Sequence, residues 1–282
     1  MRFNSDQIQK IGKEISSKVD GKTLFDEFSR GRYSTDASVY QIKPLGVVLP
    51  KDTNDVLSLM EYSQKNSVPL LARGGGSSQC GQTVGESVVL DYSKHQNKIL
   101  ELNVEEKYVW VQPGVVLDHL NAYLKPHGLW FPVDVSTSSR ATIGGMSANN
   151  SCGSRSLYYG NMVHNVLAIE AILDDGSIFN FDQINKNYLA TKNNQDRLYK
   201  IIDKFIDVRQ QVGGEIDANW PTTQRRVGGY NIDLIDPEGF NSSNLLVGSE
   251  GTLSLFNKIK LKLSEIPKNK ILGVCYFDNF HQ

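Results

Sequence analysis

A short apolar run bounded by prolines, Pro44 to Pro50 (PLGVVLP), is followed by a helical pattern and then by a second apolar run, Pro69 to Ala72. Asp52 or Thr53 supplies a helix N-cap, Val56, Leu57, Leu59, Met60 and Tyr62 give the buried face, and the pattern closes near Asn66. This order predicts a β-α-β unit. Its second strand runs straight into Arg73-Gly74-Gly75-Gly76-Ser77-Ser78-Gln79-Cys80-Gly81-Gln82. A glycine-rich loop at the C-terminal end of a strand is where α/β folds place phosphate ligands, because the main chain can approach them with its N–H groups. A tight turn explains one or two glycines, hardly three in succession followed by two serines. The loop lacks the GK[ST] ending of a P-loop and the GxGxxG spacing, so nucleoside triphosphate hydrolysis and a Rossmann dinucleotide site both lose ground.

A second constellation, Pro132 to Gly160 (PVDVSTSSRATIGGMSANNSCGSRSLYYG), shows neither a helical nor an alternating apolar period. Ser, Thr, Asn, Asp and Gly crowd there and offer small hydroxyls and backbone donors, which suit a dinucleotide. The third is Val247 to Leu253 (VGSEGTL). Around these loops the chain reads as mixed. Residues Ser5 to Phe28 suggest one or two helices, and SVVLDYS, KILELNV and YVWVQPG suggest strands, the last two forming a hairpin. Val116 to Leu124 is a helix, Val166 to Leu173 and SIFNF a hairpin around Asp174-Asp175-Gly176, and Asp196 to Val212 a helix. Gly213 to Asn244 is polar and irregular, Leu245 to Leu263 is strand, turn and long strand, and Gly273 to Phe277 begins one more strand. A β-α-β unit first and hairpins later favour an α+β fold over a doubly wound sheet.

Thirty basic residues face 31 acidic ones, for a net charge of -1, which gives no support for bulk attraction to nucleic acid. Cys80, Cys152 and Cys275 are too far apart for a disulfide framework or a metal ligand set. His95, His119, His127, His164 and His281 have no partners at ligand spacing and read as structural or surface residues; an Arg225–Arg226 pair could hold a substrate carboxylate. No run reaches the apolar length of a membrane span and no signal peptide is visible, so a soluble cytoplasmic protein is expected.

ARGGGSSQCGQ, QPG, PVDVSTSSRATIGG with NNSCG, YG and VGSEGTL, in that order, resemble the FAD-binding domain of the vanillyl-alcohol oxidase and p-cresol methylhydroxylase superfamily. Within it the likeness is to FAD-linked 2-hydroxy-acid dehydrogenases of the glycolate oxidase and D-2-hydroxyglutarate dehydrogenase type. GRYSTDASVYQIKPLGVVLP and HGLWFPVDVSTSSRATIGGMSANNSCGSRS are similar to the large members that add a C-terminal iron-sulfur module. The resemblance implies an α+β, two-subdomain FAD-binding fold, with mixed sheets and flanking helices. Carried over motif by motif, Gly74, Gly75, Gly76, Ser77 and Ser78 would hold the pyrophosphate, helped by Gly81 and Gln82. Pro113 and Gly114 would shape the wall near the adenine. Asp134, Ser138, Thr142, Gly144, Gly145, Asn149, Asn150 and Gly153 would line the pyrophosphate and flavin, Ile169 would offer main-chain contacts, and Glu250 would lie near the cofactor.

Members with covalent flavin often carry His where this chain has Ser77, so noncovalent FAD is expected. NSCG puts Cys152 at a position that is glycine in many relatives, which implies a different backbone conformation, and Tyr158-Tyr159-Gly160 stands where they read RYG. The helical spacing near the start marks residues 1–40 as an N-terminal helical accessory, and the resemblance implies 41–265 as the FAD-binding domain and 266–282 as the start of a truncated substrate or cap domain. The reaction implied is hydride transfer from a 2-hydroxy acid to flavin N5, with electrons passed to a downstream acceptor and the catalytic base unassigned; any iron-sulfur cluster belongs to a missing C-terminal portion. A noncatalytic FAD-binding subunit, or another oxidase or reductase of the superfamily, is the alternative.

Overall fold

The computed structural model describes residues 3–185, 197–269 and 271–279. Helix α1 (Ser5–Ser16) opens on a capping box in which Asn4 accepts from the Gln7 amide at 2.9 Å while Gln7 accepts from the Asn4 amide at 2.8 Å. It buries Ile8, Ile11 and Ile15. Strand β1 (Lys22–Leu24) and helix α2 (Glu27–Arg32) follow, so the helical reading of residues 5–28 is interrupted by a strand. The cause lies in the buried carboxylate of Asp55, which accepts the amides of Asp20 (2.7 Å), Gly21 (2.9 Å) and Lys51 (2.7 Å). That clamp lays Lys22–Leu24 along the edge of β2 (Gly46–Leu49).

The predicted β-α-β unit is present as β2, α3 (Thr53–Asn66) and β3 (Leu70–Arg73). Asp52 caps α3 through the amides of Asn54 and Asp55, and the helix ends at Ser67 in the left-handed region. Strand β4 (Val88–Asp91) inserts between β2 and β3 and runs parallel to both, giving the sheet order β1-β2-β4-β3. Its three apolar residues are fully buried, as a central strand covered on both faces requires.

The chain then builds an antiparallel sheet. Strands β5 (Ile99–Asn103) and β6 (Tyr108–Val111) form the expected hairpin, and α4 (Leu117–Leu124) buries Leu117, Leu120 and Leu124. After β7 (Leu129–Trp130) come three short helices, α5 (Ile143–Asn149), α6 (Ser156–Tyr159) and α7 (Met162–Asn165). The stretch that carries no helical period in sequence therefore contains α5 and α6. At seven and four residues they are too short and too glycine- and serine-rich for periodicity to register.

Strands β8 (Val166–Ile172) and β9 (Ile178–Phe181) form the second hairpin, followed by β10 (Gln183–Asn185), α8 (Arg197–Asn219), β11 (Gly239–Asn241), β12 (Leu255–Lys262) and β13 (Ser264–Glu265). Helix α8 continues past Val212 to Asn219, and Asp196 lies outside the described residues. Leu245 ends a single 3-10 turn, Ser242–Leu245, where a strand is expected. Its geometry is set by Asn241, which accepts from the Ser243 amide and hydroxyl at 3.0 and 2.8 Å. Gly273–Phe277 forms no ladder with any described residue, so the last strand expected from sequence is absent there.

The second sheet has the order β5-β6-β12-β8-β9 and is antiparallel throughout, whereas the first is parallel except for its antiparallel edge strand β1, and each has its own core. The two cores touch. Ile172 and Leu255 of the antiparallel sheet pack into the core of the parallel one, and the Thr53 hydroxyl reaches Asn257 at 2.8 Å. A cleft opens along this joint.

Candidate cofactor site

The loop after β3 turns on the neutral carbonyls that surround Arg73. Its guanidinium donates to the carbonyl oxygens of Tyr33 (3.3 Å), Thr83 (3.1 Å) and Thr35 (2.8 Å), and it lies 5.3 Å from the Tyr33 ring centroid. Burial holds its pKa below the ordinary arginine value, and no carboxylate among the described residues forms an ion pair with it. Gly76 sits at φ +63, where a Cβ would also strike the Arg73 guanidinium. Gly74 and Gly75 press on the opposite wall: their added Cβ atoms would lie 2.0 Å from the Thr142 hydroxyl oxygen and 2.2 Å from the Arg140 carbonyl oxygen. Each glycine is thus required by packing as well as by any ligand.

Close approach leaves the loop's main chain without protein acceptors. The N–H groups of Gly74, Gly75, Gly76, Ser77 and Ser78 donate to no described residue. Five consecutive free donors at the end of a parallel strand form a nest suited to an oxyanion. The start of α5 offers the reverse. Ile143 N–H is bound to the Val115 carbonyl (2.8 Å), Gly144 N–H to the Pro113 carbonyl (2.8 Å) and Gly145 N–H to the Thr142 hydroxyl (3.3 Å). Anion-binding capacity therefore resides in the Gly74–Ser78 loop rather than in that helix terminus.

The cleft measures about 450 Å³, within the range of cofactor pockets. Of the residues singled out from sequence, Gly74, Gly75, Gly76, Ser77, Ser78, Gln82, Pro113, Thr142, Gly144, Gly145, Asn149 and Glu250 line it. Its mouth is bridged by a polar chain: Ser78 donates to Gln82, Gln82 to Glu250 at 3.4 Å, and Asn149 to Glu250 at 2.8 Å. Glu250 holds this place at φ +51, with its amide on the Ala148 carbonyl.

Seven residues lie behind the lining. Gly81 is at φ +80 with Tyr40 packed over it, and a Cβ on Gly114 would meet the Tyr92 carbonyl oxygen at 2.2 Å. Asp134 accepts from the Arg155 amide (3.0 Å) and the Ser154 hydroxyl (2.9 Å), and Gly153 fits against its carbonyl, so this pair braces the 151–156 turn. The Ser138 carbonyl receives the Asp118 amide. Asn150 is fully buried at φ +53 and accepts the Val163 amide at 3.0 Å. Ile169 is buried at the centre of β8, paired with Ile259 and Phe181.

Other readings resolve locally. Arg226 donates to both carboxylate oxygens of Asp233 at 2.8 and 2.7 Å, and Arg225 to the Gly153 carbonyl at 3.1 Å. The His164 imidazole accepts the Asn161 amide at 3.0 Å; burial, then nearby Arg226, holds it below its ordinary pKa. His281 is outside the described residues. Cys152 lines the cleft with an ordinary negative φ, the left-handed residue being its neighbour Asn150. Tyr158 stands outside the lining, 86% exposed and edge-on to Tyr159.

Sequence reasoning does not single out Tyr92 and Ser254 to Phe256, which line the cleft, and Arg73 and Val135 to Thr137 line it from within the two named stretches, where the sequence gives them no individual role. Tyr92 and Ser254 are 4% and 8% exposed, and neither hydroxyl has a protein partner. Buried orphan hydroxyls are costly, and these two belong to residues that line the cleft. The free loop donors make a donor set that fits a dinucleotide carrying two phosphates. For Ser254 a signal existed: it directly follows the VGSEGTL motif.

Comparison with known proteins agrees with this geometry. The family described as FAD binding domain matches residues 44–182. D-2-hydroxyglutarate dehydrogenase of Escherichia coli is 35% identical over 270 residues, 92% of this chain and 26% of that protein. The Pseudomonas putida enzyme of the same name is 36% identical over 274 residues, 94% of this chain and 27% of that protein. The GlcD subunit of glycolate oxidase from Bacillus subtilis is 30% identical over 277 residues, 96% of this chain and 48% of that protein. The chain thus spans about a quarter to a half of the length of these relatives. Solved alkyldihydroxyacetonephosphate synthase superposes with a TM-score of 0.65 at 18% identity, covering 93% of this chain and 41% of that one, a likeness of fold. Residues 44–182 thus form an FAD-binding domain of the p-cresol methylhydroxylase type.

Proposed function

We propose that this chain is the flavin-binding portion of an FAD-dependent oxidoreductase that oxidises a 2-hydroxy acid and passes the electrons to a downstream acceptor. The observation that carries it is the set of five free main-chain donors from Gly74 to Ser78, in a cleft whose wall is supplied by the stretch matching FAD-binding domains. Gly74–Ser78 hold the diphosphate, with Arg73 bracing the loop through its carbonyl contacts; Pro113, Thr142, Gly144 and Gly145 form the opposing wall; Tyr92 and Ser254 meet a ring edge; and the Gln82–Glu250–Asn149 bridge closes the mouth against water. Bound FAD supplies a two-electron hydride acceptor. The 2-hydroxy acid is favoured by relatives named for D-2-hydroxyglutarate, glycolate and D-lactate.

Ser77 supports noncovalent attachment, since its hydroxyl is a weak nucleophile with no described base hydrogen-bonded to it. Purified protein is expected to show a flavin absorption spectrum and to release all of its flavin into the supernatant on acid precipitation. Protein that takes up no added FAD overturns the cofactor reading, and flavin retained in the washed pellet overturns noncovalent attachment. Bleaching of the loaded full-length protein by a D-2-hydroxy acid tests the substrate class; no bleaching by any 2-hydroxy acid rejects it in favour of a noncatalytic flavin-binding role.

A further inference from the structure

A second cavity, of about 320 Å³, shares Gly74, Gly75 and Arg73 with the cleft and is otherwise lined by Arg32, Tyr33, Asp91, Ser93 and Arg140. Three arginines and one carboxylate face it, which leaves two positive charges uncompensated. The carboxylate is fully engaged: Asp91 accepts the Tyr33 hydroxyl at 2.6 Å on one oxygen and the Ser93 amide at 2.9 Å on the other. Arg73 is committed to carbonyl oxygens. Arg32 and Arg140 form no side-chain hydrogen bond or ion pair with any described residue, and the Ser93 hydroxyl is likewise without a partner.

Arg32 ends helix α2 and Arg140 sits in the turn that packs on Gly75, so elements far apart in sequence deliver two unpaired guanidiniums to one concavity. Both arginines are exposed, so water screens their mutual repulsion, and an anion bound between them gains charge-assisted hydrogen bonds to both. Guanidinium forks and a hydroxyl, converging from different elements, suit an oxyanion with acceptors on several sides.

We propose that this cavity is a second anion site, distinct from the diphosphate nest, which binds a small dianion of the phosphate class between Arg32 and Arg140 with Ser93 as an additional donor. The Gly74–Gly75 peptide forms the partition between the two sites. The inference stands on the unpaired arginines and does not require the cleft to hold FAD.

The test is isothermal titration of inorganic phosphate into the FAD-saturated chain, in which the cleft donors are already occupied. Saturable binding at one site per chain is expected, weakened about tenfold by Arg32→Gln or Arg140→Gln, the loss of one charge-assisted contact. The double variant is expected to lose binding with its flavin spectrum unchanged. A parallel titration with glutarate distinguishes a dicarboxylate from phosphate: weaker binding than phosphate supports the assignment, tighter binding overturns it. Absence of phosphate binding in the wild type, or the same affinity in the double variant, also overturns it. Should the chain hold no FAD, the difference in phosphate affinity between the wild type and the double variant decides the question on the apoprotein.

Discussion

Gly75→Ala is expected to lower FAD affinity by at least about 100-fold, measured by the change in flavin fluorescence on titration. The added Cβ would lie 2.2 Å from the Arg140 carbonyl oxygen, a main-chain atom that no rotamer change can move aside. The loop must back away into the cleft, and the free donors of Gly74 to Ser78 lose their common focus. Two charge-assisted hydrogen bonds at about 1.5–3 kcal/mol each account for a loss of this size. Gly74→Ala meets side-chain rather than main-chain atoms, the Thr142 hydroxyl oxygen at 2.0 Å and its Cβ at 3.2 Å, so its effect should be the smaller of the two. Equal affinities for Gly75→Ala and the wild type would mean that the cofactor does not depend on this loop.

Asp55→Ala should produce the largest loss of stability without touching the cleft. One buried carboxylate accepts the amides of Asp20, Gly21 and Lys51, and its removal strands three donors at the point where β1 joins the parallel sheet. At about 1–3 kcal/mol for each unsatisfied buried group, with partial rescue by water, the expected cost is about 3–4 kcal/mol. A urea midpoint displaced with an unchanged slope is the expected readout. A loss below about 1 kcal/mol would show that the clamp does not hold the N-terminal strand.

What the sequence made legible follows from the range of the interactions concerned. The β-α-β unit could be read because Asp52, the apolar face of α3 and the proline-bounded strands are local signals. The two β-hairpins were readable for the same reason. Strand β1 was not, because three residues acquire their conformation from Asp55, more than thirty positions away. Helix α5 escaped notice because its first amides are satisfied by Pro113 and Val115, partners outside the segment. The cleft residues followed the same division: Gly74 to Ser78 announced themselves, whereas Tyr92 matters through burial and a missing partner and Arg73 through carbonyl contacts to distant residues, which a sequence does not display. Asp134, Gly153 and Asn150 belong to the motifs but support the turn that shapes the wall.

The three cysteines provide the most direct check on FAD occupying the joint between the two cores. Cys80 and Cys152 line the cleft, whereas Cys275 is exposed in the segment beyond β13. Alkylation by iodoacetamide, followed by peptide mass spectrometry, should slow at Cys80 and Cys152 when FAD is added and proceed unchanged at Cys275. Unaltered rates at both cleft cysteines, in protein shown to carry stoichiometric FAD, would place the cofactor elsewhere and overturn the assignment of the cleft.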